Sequence, residues 1–79
     1  MREKECIVLI IYDIVDNKQR NKMVKFLERY GVRVQKSAFE ALLGRKKYTR
    51  LIEESQRIID PSTDSLRIYY SGALVKTKN

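Results

Sequence analysis

The order of apolar and polar residues along the chain predicts strands and helices in alternation. Residues 6–14 form an unbroken apolar and β-branched run without helical spacing, which predicts a central strand covered on both faces. From Asn17 to Tyr30, apolar residues recur at the i, i+3, i+4, i+7 spacing of an amphipathic helix. Asp16 stands where an N-cap is expected, and Gly31 where a left-handed C-cap is expected.

The second half of the chain repeats this alternation. Residues 32–43 read as strand, and the polar Gln35-Lys36-Ser37 in their middle predicts a reversal or bulge that divides them in two. A second amphipathic pattern opens at Gly44 and is stopped by Asp60-Pro61. Leu66–Tyr70 alternates as a further strand, residues 73–75 form a short apolar piece, and residues 76–79 are expected to be a frayed tail.

The resulting order, βαββαβ, predicts one α+β domain over residues 1–79. Two split βαβ units give a ferredoxin-like sandwich, an antiparallel sheet with both helices on one face. Such a sheet leaves its other face bare, and several side chains expected there are apolar or aromatic. We therefore predict a symmetric homodimer, in which residues 73–75 of one copy add to the edge of its partner's sheet.

Composition removes several kinds of chemistry. The 79 residues include 17 Lys and Arg against 10 Asp and Glu, a formal net charge of +7. There is no histidine and only one cysteine, Cys6, which excludes histidine general bases, catalytic triads and Cys- or His-ligated zinc. Cys6 itself is expected to be a small buried apolar residue. The apolar run is too short to span a membrane, no export signal is recognisable, and a cytoplasmic protein is expected.

Asp13 is the strongest candidate for chemistry because a carboxylate directly follows an apolar strand. One interpretation is that Asp13 only ends the strand and caps a turn, and spacing alone favours this role. A two-fold axis would bring two Asp13 side chains together, and Mg²⁺ is commonly held by one or two carboxylates, waters and substrate phosphate. Such a metal activates water and neutralises the charge that develops on a phosphodiester.

The basic residues indicate a nucleic-acid partner. Residues 17–36 contain seven Lys or Arg and a single acid, Glu28, which is more charge than a solvated helix face requires. A second cluster, Arg45-Lys46-Lys47 with Arg50, lies at the start of a helix, where cations oppose the helix dipole. Phosphate binding explains that placement better than a purely structural role.

Other residues allow two interpretations each. Tyr12, Phe39 and Tyr69 suit stacking on bases, although aromatic residues on strands more often fill cores or dimer interfaces. The Ser37 hydroxyl suits a phosphate contact, but no neighbouring base exists to make it a nucleophile.

Taken together, these residues resemble the family of CRISPR-associated protein two, the small subunit that accompanies the CRISPR spacer integrase. The resemblance extends over about residues 6–70. It is carried by Tyr12-Asp13-Ile14, Asn21-Lys22, Tyr30-Gly31-Val32-Arg33-Val34-Gln35-Lys36-Ser37-Ala38-Phe39-Glu40, Ile59-Asp60-Pro61 and Asp64-Ser65-Leu66-Arg67-Ile68-Tyr69.

The resemblance implies a ferredoxin-like homodimer with endonuclease activity that depends on Mg²⁺, or on Mn²⁺ in its place, toward RNA or double-stranded DNA. It also implies a dimer that bridges integrase subunits and holds duplex DNA during spacer acquisition. Asp13 would be the metal ligand, with Tyr12 beside it at the catalytic centre. The residues implied to border the cleft or contact nucleic acid are Arg20, Lys22, Arg33, Lys36, Ser37, Phe39, Arg45, Lys46 and Lys47.

Two alternatives stay open at this point. One is a non-catalytic DNA-binding scaffold of the integration complex, in which Asp13 is structural. The other is a toxin-type ribonuclease of the virulence-associated protein D group, which resembles this fold. Family members with a longer segment after the last strand dock the integrase through it, so we expect that contact to be weak here.

Overall fold

The structure, a computed structural model, describes residues 4–71, which form a four-stranded sheet and two helices. The elements in chain order are β1 (Cys6–Asp13), α1 (Asn17–Leu27), β2 (Gly31–Gln35), β3 (Ala38–Leu43), α2 (Arg45–Ile58) and β4 (Ser65–Ser71). Every predicted element within these residues is confirmed. The short strand expected at residues 73–75 and the frayed tail at 76–79 lie outside the described residues.

The strand order in the sheet is β2-β3-β1-β4, and all three pairings are antiparallel. Leu9 on β1 lies between Glu40 on β3 and Tyr69 on β4, which fixes the register across the sheet. This arrangement, with two helices, is the predicted ferredoxin-like α+β fold.

The helices cover one face of the sheet, and the core lies between them and the strands. Burial alternates along β1: every second residue from Cys6 to Tyr12 is buried, as the two-residue period of a strand requires. The core is made of residues from β1, the loop after it, β3 and both helices: Val8, Ile10, Tyr12, Ile14, Met23, Phe26, Leu27, Phe39, Ala41, Leu43 and Leu51. Neither helix in the described part of the chain has the length and apolar character needed to cross a bilayer.

The first helix begins as predicted and ends earlier. The Asp16 carboxylate accepts a hydrogen bond from the Gln19 backbone N–H at 3.0 Å, so the predicted N-cap is confirmed. The helix ends at Leu27, and residues 28–30 form a turn. Tyr30 still packs on the helix, because its ring meets that of Phe26 edge-on with centroids 5.2 Å apart. The apolar spacing therefore continues past the last helical residue.

The expectation that Gly31 is a left-handed C-cap is wrong. No glycine in residues 4–71 has a positive φ, and the C-cap of α1 is Glu28 in a right-handed conformation. Gly31 instead opens β2, where the strand runs close against β3. A Cβ atom at Gly31 would lie 2.1 Å from the Glu40 carbonyl oxygen and 2.8 Å from the Ala41 Cα. Close approach of two backbones, not a turn conformation, is what requires glycine here.

The reversal predicted around Gln35-Lys36-Ser37 is confirmed as a two-residue turn at Lys36 and Ser37. The β2–β3 register shifts between Arg33 and Gln35, so the hairpin also carries a bulge. The Lys36 carbonyl oxygen accepts hydrogen bonds from the Arg33 guanidinium at 2.8 and 3.2 Å and from the Tyr12 hydroxyl at 3.2 Å. Side chains from β1 and β2 therefore hold a turn that has no glycine of its own.

The second face of the sheet is covered by no element in residues 4–71. We call it the open face; its apolar side chains come from all four strands and are Ile7, Leu9, Ile11, Val32, Leu42 and Tyr69. Leu42, Val32 and Tyr69 are each about half exposed or more, at 52%, 64% and 49%. Within residues 4–71, the two-sided burial predicted for β1 is thus provided on one side only.

Gly31→Ala should destabilise the protein by about 1–3 kcal/mol, because the added methyl group collides with backbone atoms that cannot rotate away. Urea denaturation followed by circular dichroism measures the difference. Gln35→Ala, an exposed change on the same strand, is the control and should stay within about 0.5 kcal/mol of the parent chain. Equal unfolding midpoints for the two variants would contradict the close-approach explanation.

Candidate functional site

Asp13 is the last residue of β1 and lies on the open face, opposite Ser65 of β4 in the register. Its carboxylate is exposed and accepts no hydrogen bond from any residue between 4 and 71. Two other acids near this strand end, Asp16 and Asp64, accept hydrogen bonds from backbone N–H groups. Asp13 is therefore a charged group that the described fold does not use for its own local structure.

The loop after Asp13 is held by Arg20 of α1. The Arg20 guanidinium donates to the Ile14 and Val15 carbonyl oxygens, each at 3.1 Å, and to the Asn17 side chain. Arg20 was predicted to contact nucleic acid. The structure places three of its nitrogens on the loop that leads from Asp13 into α1, so its main visible contacts are within the chain.

Asp64 holds the same loop from the other side. Its carboxylate accepts hydrogen bonds from the backbone N–H of Asp60 at 2.8 Å and of Val15 at 3.1 Å, and from the Thr63 hydroxyl at 3.1 Å. The Asp60 and Val15 N–H groups favour the charged form and hold the pKa of Asp64 below its ordinary value. No role was assigned to Asp64 from the sequence. The pattern that could have indicated one is a second carboxylate four residues after Asp60, in a loop that also contains Pro, Ser and Thr.

Tyr12, predicted to act beside Asp13, points to the opposite side of the sheet. It is only 2% exposed, packs near Phe39 with ring centroids 6.4 Å apart, and donates its hydroxyl hydrogen to the Lys36 carbonyl oxygen. Burial raises the pKa of the phenol, and the nearby Arg33 guanidinium partly offsets that rise. Tyr12 is thus a protonated donor within the core, linked to Asp13 through the backbone of β1.

The other residues at this end of the sheet that were predicted to contact nucleic acid are partly buried and partly exposed. Phe39 is 1% exposed, so its ring fills the core and offers no face to a base. Arg33, Lys36 and Ser37 are exposed at the β2–β3 turn. That turn lies beside the end of β1, because the Tyr12 N–H donates to the Ser37 carbonyl oxygen at 3.0 Å. The structure therefore brings Lys36 and Ser37 close to the Asp13 end of the sheet.

The second basic cluster lies at the other end of the sheet. Arg45, Lys46 and Lys47 form the exposed first turn of α2, after an N-cap, Gly44, that provides no side-chain hydrogen bond. The eight residues of β1 separate this end from Asp13 by about 23 Å at the usual rise per strand residue. Lys22 is exposed on α1 between the two ends. The predicted nucleic-acid residues thus spread along the molecule and do not form one pocket.

The described residues of one chain do not form a complete metal site. Among residues 4–71 no group of three or more Asp, Glu, Cys or His side chains converges to hold an ion. Mg²⁺ keeps several waters and commonly binds one or two carboxylates together with substrate phosphate. An exposed carboxylate without hydrogen bonds from residues 4–71, as at Asp13, is compatible with that kind of partial site.

The fold and this strand-end carboxylate together describe a small basic ferredoxin-like protein. A family model described as CRISPR associated protein Cas2 matches residues 6–78. The chain belongs to that family. It is 48% identical over 65 residues to the CRISPR-associated endoribonuclease Cas2 3 of Chloroflexus aurantiacus, covering 82% of this chain and 70% of the relative.

A second relative, the CRISPR-associated endonuclease Cas2 of Halalkalibacterium halodurans, is 40% identical over 77 residues, covering 91% of this chain and 80% of the relative. Among the curated relatives the share of length matched falls as low as 49%, in a Cas2 4 of Rhodospirillum rubrum. The chain thus spans between about half and four fifths of the length of these relatives.

Solved structures agree with this assignment. Streptococcus pyogenes Cas2, crystallised at pH 6.5, matches with a TM-score of 0.78 at 30% identity over 92% of this chain and 99% of that chain. A chain of a partial Cas6-RT-Cas1–Cas2 complex matches with a TM-score of 0.67 at 33% identity, over 82% of this chain and 72% of that chain.

The Asp64 network predicts a pH dependence of stability. Because the folded-state pKa of Asp64 lies below its unfolded value, its contribution is present above the ordinary carboxyl pKa and is lost as pH falls through the folded value. We expect Asp64→Asn to be less stable than the parent chain at pH 7, with a difference that shrinks at pH 2–3. Urea denaturation at both pH values measures this, with Glu53→Gln as an exposed control. A difference independent of pH would show that the charge of Asp64 is unimportant.

Proposed function

We propose that this Cas2-family chain is a homodimeric, metal-dependent endonuclease subunit of the CRISPR adaptation machinery that also binds duplex DNA. The observation that carries the proposal is the position of Asp13: a carboxylate without local hydrogen bonds at the rim of an apolar sheet face that the described residues do not cover. The endonuclease and endoribonuclease names of the relatives support phosphodiester cleavage as the reaction.

The open face supports the dimer. A strand with apolar residues on both sides, such as β1, is typical of sheets covered on both faces. Exposed apolar surface of this kind commonly marks an interface. A second copy is the occupant we propose, because sheets pack face to face about 10 Å apart and a two-fold axis running near β1 would stack the two open faces on each other.

The same axis would bring two Asp13 carboxylates into one site. When bound there, Mg²⁺ would supply an activated water and a positive charge beside the scissile phosphate. The contribution of this chain is to aim the two carboxylates. Arg20 and Asp64 fix the loop that follows Asp13, so the carboxylate is presented from a held backbone.

The cations support binding to a phosphate backbone. Lys36 and Ser37 flank the Asp13 end, and Arg45, Lys46 and Lys47 lie about 23 Å away at the start of α2. Contacts of Lys and Arg with phosphates carry no base identity, which suits a protein that holds duplexes of any sequence. The likeness to a chain of a Cas1–Cas2 complex supports the spacer integrase as the protein partner.

Asp13→Asn should lower the rate of divalent-metal-dependent cleavage by roughly 100-fold or more. Removing one group that stabilises the transition state electrostatically commonly lowers kcat by that factor. Cleavage of single-stranded RNA and of duplex DNA is measured on denaturing gels with Mg²⁺, with Mn²⁺ and with EDTA. Glu53→Gln on the exposed face of α2 is the matched control and should retain activity.

The outcomes of this test separate the alternatives. Cleavage retained by Asp13→Asn removes Asp13 from the mechanism. If the parent chain cleaves neither substrate with either metal but supports spacer insertion in cells, the non-catalytic scaffold is correct. The match to the Cas2 family favours the metal-dependent endonuclease and the non-catalytic scaffold over a toxin-type ribonuclease.

Tyr69→Lys should weaken the dimer, because it places a charge within the proposed interface, next to Leu9. We expect the dimer Kd to rise by roughly 10-fold or more, since a charge buried without a partner costs well over about 1.4 kcal/mol. Sedimentation velocity over a range of concentrations measures it. Val15→Lys, at an apolar position that is 65% exposed but lies in the loop, is the control. A monomeric parent chain at every concentration would refute the dimer.

A further inference from the structure

A small cationic cleft lies at the end of the sheet away from Asp13, between the end of α1 and the start of α2. Its volume is about 230 Å³, and it is lined by Arg29, Tyr30, Leu42, Leu43, Lys47 and Arg50. Arg29 and Tyr30 follow α1, whereas Lys47 and Arg50 belong to the first two turns of α2. The cations of the cleft therefore come from segments far apart in the sequence and meet only in the fold.

Within the described residues the positive charge of the cleft exceeds the negative charge beside it. Arg29, Lys47 and Arg50 form no ion pair with a carboxylate between residues 4 and 71. The one described acid acting on Tyr30 is Glu54, and it is opposed there by the guanidinium groups of Arg50 and Arg29. Three exposed cations gathered around one cleft repel one another, so an anion that enters it relieves that repulsion and also accepts their hydrogen bonds.

The polar groups of the cleft suit an anion that accepts hydrogen bonds. The Tyr30 hydroxyl makes no hydrogen bond within residues 4–71, and burial raises the pKa of its phenol, so it stays protonated and able to donate. The first turn of α2, which includes Lys47, contains no acid, and its N-cap offers no side-chain hydrogen bond, so no carboxylate there offsets the positive end of the helix dipole. Leu42 and Leu43 complete the lining, but the Leu43 side chain is buried in the core and Leu42 lies on the open face, so the cations and Tyr30 are the groups that a ligand meets.

We infer that this cleft binds one backbone phosphate of a nucleic acid, with Arg29, Arg50 and Lys47 around the phosphate oxygens and Tyr30 as an additional donor. The inference rests on the proposed function, because it makes the cleft a second point of attachment for the duplex held near Asp13. The separation of about 23 Å corresponds to roughly seven base-pair steps of about 3.4 Å along one strand. An acidic protein surface is the competing ligand, but a cleft this small with three cations around it suits a single phosphate group.

The test uses the full chain, a duplex DNA without sequence preference, and inorganic phosphate as a second probe. Binding is measured from low to moderate salt for the parent, for Arg29→Gln/Arg50→Gln, and for a control that removes the same charge elsewhere, Lys4→Gln/Arg57→Gln. Tyrosine ring NMR signals, with Tyr30→Phe to assign and to remove the hydroxyl, report local binding of either probe. No guanidinium among the substituted arginines is hydrogen-bonded within the described fold, so both double variants should fold, which circular dichroism checks.

We expect the Arg29→Gln/Arg50→Gln variant to bind the duplex roughly 10-fold more weakly at low salt. Its salt slope should fall in magnitude by about 1, because about 0.9 is lost for the one phosphate that is no longer neutralised. The control should change much less, and Tyr30 signals should shift with phosphate while those of Tyr69 do not. Equal slopes for the two double variants, or an unmoved Tyr30, would overturn the inference. If Tyr30 shifts with phosphate but the parent chain binds no duplex, the anion site stands and the proposed duplex binding fails.

Discussion

The structure depends on a mismatch in β1: the strand is apolar on both sides, and the described chain covers only one of them. The helices bury Val8, Ile10 and Tyr12, whereas Ile7 and Leu9 face outward. Hydrophobic burial is the main favourable term in folding, and a domain this small buries a smaller fraction of its surface than a larger one does. The uncovered side is the reason that we propose a second copy as its cover, and the proposed catalytic centre rests on the same mismatch, because Asp13 lies at the rim of that side.

The charged residues around Asp13 divide into those that maintain the fold and those that it leaves available. Arg20 and Asp64 converge on one short loop, where the guanidinium donates to carbonyl oxygens and the carboxylate accepts from an N–H. Asp13, one residue before that loop, takes part in none of these contacts. A held backbone that carries a free carboxylate is the arrangement that a metal-binding group requires, since the ligand must be positioned without already being bonded.

The pattern of apolar residues was sufficient to predict the elements and the fold, because the periods of strands and amphipathic helices follow directly from burial of one face. It could not predict contacts made across elements. Gly31 looked like a helix cap, but a Cβ there would lie 2.1 Å from a β3 carbonyl oxygen. Phe39 and Arg20 matched a nucleic-acid motif, but the fold turns one into the core and the other onto a loop. Side-chain partners of this kind depend on tertiary packing, which local spacing does not encode.

The turn between β2 and β3 depends on a residue from a distant part of the chain. Neither Lys36 nor Ser37 provides the left-handed conformation that lets a two-residue hairpin close by itself. The Lys36 carbonyl oxygen is held instead by Arg33 of β2 and by the Tyr12 hydroxyl, and the Ser37 carbonyl oxygen is held by the Tyr12 N–H. Tyr12 belongs to β1 and lies 24 positions before Lys36, so the hairpin takes part of its support from a strand outside itself, and a change at Tyr12 reaches the turn as well as the core.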